Sequence, residues 1–160
     1  MIALTGLRKN EGRAVRFCDV DFASGVLTIP ETKGKKPHSL PVTVLTRHVL
    51  DRRCAGLRPE HYLFDGLSAD HVTEMAKRAG APEFTLHDLR KLLASVGAWL
   101  EIGDAILRRI LGHAPKRGDV LHRHYVSLNV GDIAKSLEEM QGDFAYLRSH
   151  RLSSDTFGDG

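Results

Sequence analysis

The stretch Leu86 to Lys91, LHDLRK, opens an apolar helical pattern with two side chains that do not help to build a core. A helix carries positions i and i+3 onto one face, so His87 and Arg90 point the same way, with Lys91 beside them. Such a face is a small patch of cationic hydrogen-bond donors. More cations are grouped along the chain: KGKKPH at Lys33 to His38, RHVLDRR at Arg47 to Arg53, LRRILGHAPKR at Leu107 to Arg117 and HRH at His122 to His124. The net charge is +3 and the isoelectric point about 9.0. Grouped cations suit a polyanion such as nucleic acid, although a solvated face accounts for a mild excess equally well.

The elements that must position these residues are read from periodicity and turn signals. With 160 residues, 42% of them hydrophobic and 27% charged, the chain has the size and composition of one globular domain. It contains no apolar run of about 18 residues that could span a membrane, and no secretory signal pattern. Two cysteines, Cys18 and Cys54, without metal-ligand spacing fit reduced thiols and a cytoplasmic location. The opening MIALTGLR reads as the end of a helix whose earlier part is missing. Short β-type runs follow, VLTI and HSLPV flanking the turn TKGKK, and predict an antiparallel hairpin or three-stranded sheet. Helical patterns then dominate: TVLTRHVLDRRCAGL, SADHVTEMAKRAG with Ser68 as cap, TLHDLRKLLASVGAWL with Thr85 as cap and Asp88 three later, GDAILRRILGH, and VGDIAKSLEEMQGDFAYLRSH. In the last, Ile133, Leu137, Met140, Phe144 and Leu147 have core spacing. The expected class is α+β, mainly helical with a small antiparallel sheet, over residues 1–150, and a polar, glycine-rich tail at 151–160 is expected to be disordered.

Beside LHDLRK stand TGLRKNE with Arg8 and Glu11, the turn lysine Lys33 in TKGKK, and LGHAPKRGDVLHRHY with His113 and the downstream Tyr125. In this order and spacing, from about Thr5 to Leu128, the chain resembles the catalytic domain of the tyrosine recombinases, the phage-integrase family. That family is marked by an arginine in a TGLRxxE-like segment, a β-hairpin lysine, HxLR, LGH and a tyrosine. The resemblance implies a DNA breaking-and-rejoining fold, with the family's N-terminal DNA-clamping domain absent from the segment matched.

It also implies roles. In-line attack on a phosphodiester builds negative charge on the nonbridging oxygens, which planar guanidinium groups match by paired hydrogen bonds, so Arg8 and Arg90 become the clamp. The alkoxide leaving group needs a proton, and Lys33 on the hairpin is the general acid. Tyr125 is the covalent nucleophile, His87 accepts its proton, His113 donates to a phosphate oxygen, and Glu11 orients the basic members. Lys35, Lys36 and Lys91 contact the DNA backbone. The implied product is a 3′-phosphotyrosyl link and a free 5′-hydroxyl; the link retains the bond energy, so neither ATP nor metal is implied. The implied partners are double-stranded DNA and further protomers in a tetrameric synapse.

Other readings of the same residues stay open at this level. Lys35 or Lys36 takes the place of Lys33 if the hairpin register slips, and Tyr62 and Tyr146 are the other tyrosines. A DNA-binding module could keep the fold without the chemistry. A zinc hydrolase is suggested by nine histidines and HRH, yet neither HExxH nor closely set Cys and His pairs are present.

Overall fold

The computed structural model describes residues 1–30, 36–66, 68–113 and 128–154. Short-range signals set most of its boundaries. Helix α1 (Ile2–Thr5) stops at Gly6, whose φ of 67° is left-handed and whose N–H returns to the Ile2 carbonyl at 2.8 Å. Arg8 is the N-cap of α2 (Lys9–Ala14). A 3₁₀ turn (Phe17–Asp19) leads to the strands β1 (Val20–Asp21), β2 (Val26–Ile29) and β3 (His38–Pro41). Three helices start at hydroxyl caps: α3 (Val44–Cys54) at Thr43, α4 (Ala69–Arg78) at Ser68 and α5 (Leu86–Trp99) at Thr85, where Asp88 completes a capping box. Helices α6 (Asp104–Ile110) and α7 (Val130–Ser154) complete the described elements.

The sheet is antiparallel in the order β1-β2-β3, with Leu27 opposite Leu40 and Ile29 opposite His38. Partnered residues share a face, so the side carrying Leu27, Ile29 and Leu40 turns inward and takes His38 with it. That face joins Leu50 of α3, Leu93 of α5, Ile110 of α6, and Ile133, Leu137 and Met140 of α7 in one core. Gly97 permits close approach of α5 to α6 and α7, because a Cβ there would lie 2.8 Å from Leu107 and 2.9 Å from Met140.

A buried polar knot fastens α7 to the rest. Gln141 donates through Nε2 to the Leu4 carbonyl (2.7 Å) and to Thr46 Oγ1 (3.2 Å), and its Oε1 accepts the Thr43 hydroxyl (2.6 Å). One side chain thus satisfies groups on α1, α3 and the α3 cap. Helix α7 runs on to Ser154, so the tail boundary expected at residue 151 falls inside a helix, and residues 155–160 lie outside the described part. None of the described helices is long and apolar enough to cross a membrane.

Candidate active site

Three chain turns converge to build the site. At the first, Gly6 redirects the chain so that Arg8 caps α2, and Glu11 clasps it from both ends: Oε2 accepts the Arg8 backbone N–H at 2.9 Å and Oε1 accepts Nη1 at 2.8 Å. The Glu11 side chain is 6% exposed and that of Arg8 33%, so the carboxylate is held inside while part of the guanidinium faces solvent. At the second, α6 closes in a Schellman turn: Gly112 has φ 58°, the His113 N–H reaches the Arg108 carbonyl at 3.0 Å, and His113 is presented just past the helix end. The third is the start of α5, which carries His87 and Arg90.

Arg90 joins the other two turns. Its Nη1 donates to the Gly6 carbonyl and its Nη2 to the Leu111 carbonyl (2.6 Å). The residue is 5% exposed. This corrects the expectation of a surface donor patch: Arg90 is built into the interior, because two carbonyls freed at chain turns need a planar, two-pronged donor. The neighbouring Lys91 and His87 are exposed instead. Lys91 pairs with Asp88 at 2.9 Å on the exposed surface, and His87 is exposed along a cleft it shares with Lys9, Thr73, Lys77 and Glu83.

Electrostatics report the grouping. Burial lowers the Arg90 pKa, the Arg8 charge lowers it further, and Glu11 opposes both. His113 is held below its ordinary value by desolvation and then by Arg90, Arg8 and Arg108. This setting favours its neutral form, which can donate one N–H. Two arginines and a histidine with one compensating carboxylate form a cationic cluster suited to an anion.

The structure also pairs the buried His38 with the half-buried Arg109. His38 accepts from Arg109 Nη1 through Nδ1 (3.2 Å), and its Nε2 lies 3.1 Å from the Ile110 carbonyl. Arg109 also donates to the Ser39 carbonyl (2.9 Å) and through Nε to the Leu128 carbonyl (3.1 Å). The strand alternation offered the signal for His38, since it shares a face with Leu40. Arg109 lies in the cation group Leu107 to Arg117, where composition carries no sign of its partners. Of the residues expected in the site, Arg8, Glu11, His87, Arg90, His113, Lys36 and Lys91 are described; Lys33, Lys35 and Tyr125 lie outside the described residues, as does HRH. Of the other tyrosines, Tyr62 pairs with Arg16 at 2.9 Å in an exposed bridge, and Tyr146 falls on α7.

The family model described as the phage integrase family matches residues 1–130, spanning all three turns. The chain belongs to that family. Among curated integrase-family relatives, tyrosine recombinase XerA of Saccharolobus solfataricus is 28% identical over 125 residues, which are 76% of this chain and 43% of that protein. Prophage integrase IntF of Escherichia coli is 25% identical over 137 residues, 78% of this chain and 29% of that protein. The chain thus spans less than half the length of these two relatives. Among solved structures, a XerA recombinase is similar with a TM-score of 0.53 and 24% identity, covering 89% of this chain and 54% of that one. A XerH site-specific recombinase bound to difH substrate in a pre-cleavage complex gives 0.54 and 22%, covering 78% and 40%. These likenesses establish the integrase-family catalytic fold, mainly helical with a small antiparallel sheet.

Proposed function

We propose that residues 1–150 form the catalytic domain of a site-specific DNA recombinase or integrase that cuts and rejoins strands through a 3′-phosphotyrosyl intermediate. The observation that supports this best is the convergence of Arg8, Arg90 and His113 from three separate turns in a chain of this family. In the proposed step the Tyr125 oxygen attacks phosphorus and a P–O bond forms while the bond to the 5′-oxygen breaks. The phenolic proton passes to His87, and the leaving oxygen takes a proton from Lys33. Arg8, Arg90 and His113 carry the charge that develops on the nonbridging oxygens, and Glu11 holds Arg8 in place. Lys35, Lys36 and Lys91 contribute backbone contacts, the substrate is double-stranded DNA, and the synapse contains further copies of the protein. Attack by the freed 5′-hydroxyl on the link reverses the step, so neither a nucleotide nor a metal ion enters it.

The test is incubation with a pool of nicked suicide duplexes of randomised sequence, followed by denaturing gel electrophoresis and sequencing of protein-linked strands. A covalent adduct that disappears in Tyr125→Phe, with binding retained, is the expected result. DNA binding without any adduct would instead leave a binding module of the same fold, and an adduct persisting in Tyr125→Phe would move the nucleophile to Tyr62 or Tyr146. Replacing the scissile 5′-oxygen by sulfur should rescue Lys33→Ala but not Arg90→Ala, because a thiolate departs without protonation. Rescue of Lys35→Ala or Lys36→Ala would reassign the general acid.

A further inference from the structure

Arg109 makes more contacts than a surface cation needs. From α6 its guanidinium reaches two segments that are remote in sequence: β3 through the Ser39 carbonyl and the His38 ring, and the chain at Leu128. Arginine can only donate, so His38 Nδ1 must accept, and the proton of the neutral ring lies on Nε2, directed at the Ile110 carbonyl 3.1 Å away. The next carbonyl along, that of Leu111, takes Arg90. Gly112, whose Cβ would come within 3.3 Å of the His38 ring, lets the turn that carries His113 lie directly on that ring. A continuous set of hydrogen bonds therefore runs from Leu128 through Arg109 and His38 to the α6 turn, and through Arg90 to Gly6.

We propose that Arg109, acting with His38, is a positioning residue for strand cleavage: its bonds to Ser39, His38 and Leu128 lock β3, the His113 turn and the chain following Tyr125 into one unit. The role rests on the recombinase reading above. It acts through its neighbours, since Arg109 Nε and Nη1 are engaged by two protein carbonyls and an imidazole. Lysine cannot replace it, because one ammonium at the end of a flexible stem cannot span three acceptors. That requirement separates positioning from simple charge. A DNA-phosphate contact would tolerate Arg109→Lys and would show its loss in affinity.

The experiment measures single-turnover cleavage at saturating suicide substrate, DNA affinity, Tm and amide hydrogen exchange for the parent chain, Arg109→Lys and Arg109→Met. Leu50→Val, which perturbs the core on α3, serves as a stability control. Expected is a loss of at least about tenfold in cleavage rate for both Arg109 variants, with affinity within about threefold. The control should lower Tm while keeping its rate. Exchange at Leu40 and at Leu111 to His113 should be faster in both Arg109 variants. Cleavage restored by Arg109→Lys, an effect confined to affinity, or a rate loss matched by Leu50→Val would overturn the proposal. Absence of adduct in the parent would overturn the recombinase reading and the catalytic part of this one, while the lock itself would still stand or fall by the exchange measurement.

Discussion

At the scale of single residues, the two arginines proposed to clamp the phosphate differ in what else they do. Arg8 is one-third exposed and pairs with one buried carboxylate, whereas Arg90 is 5% exposed and holds two backbone carbonyls. Arg90→Ala should therefore destabilise the fold by about 3 kcal/mol, as two buried carbonyls lose charged donors, while Arg8→Ala costs roughly 1 kcal/mol after allowance for solvent screening. In thermal melts this is a fall of about 6–12 °C against a few degrees. Both should lose about 10²-fold or more in cleavage rate, measured at a temperature where each variant is folded. A second expectation concerns pH. Burial first, and then Arg109, depress the pKa of His38, and desolvation with Arg90, Arg8 and Arg108 depresses that of His113. Below the ordinary histidine value of 6.5 the unfolded chain takes up these protons while the folded one does not, so stability should fall as pH drops from 6.5 toward the folded values and be flat above it. The slope for buried His38 is at most about 1.4 kcal/mol per pH unit, with less from the more exposed His113. Asp88, held low by the Thr85 hydroxyl and Lys91, loses its contribution only below 3.8, outside that window. Urea midpoints from pH 5 to 7.5 check this, and a midpoint that rises on acidification would contradict it.

At the scale of elements, caps and turns decide the geometry. Gly112 and Gly80 both have left-handed φ, 58° and 78°, yet a Cβ at Gly112 meets His38 and one at Gly80 meets nothing within 4 Å. Both alanine substitutions should cost about 1–2 kcal/mol of backbone strain, but only Gly112→Ala should slow cleavage, because it displaces the turn that presents His113. Equal cleavage by the two variants would detach that turn from the site. The contrast also explains what could be read in advance. Ser68, Thr85 and Asp88 announce helix starts within four residues of chain, and VLTI with HSLPV announces a hairpin, since these signals are local. The inward turn of Arg90 was illegible: spacing assigns a face, not a depth, and its carbonyl partners lie at residues 6 and 111. Strand alternation gives the inward face of His38, but not its partner carbonyl at Ile110, which is remote in sequence. The candidate site was legible as a list of residue types in order, while the way Arg109 binds its parts together was not.

At the scale of the whole molecule, α7 is the element on which the others close. Gln141 satisfies groups at Leu4, Thr43 and Thr46, and Ile133, Leu137 and Met140 complete the core. Gln141→Ala should cost about 3 kcal/mol, read from urea unfolding, since it leaves several buried polar atoms without partners. Gln141→Glu should fare little better, because a carboxylate cannot donate to the Leu4 carbonyl. A loss under about 1 kcal/mol in both would mean that water replaces the amide. The same knot sets an order of events during synthesis. The helix ahead of Gly6 and the cap of α3 are made early, yet their buried polar groups stay unmatched until residue 141 has left the ribosome. In a growing chain the knot therefore closes late, after Arg8, Arg90 and His113 have already been made.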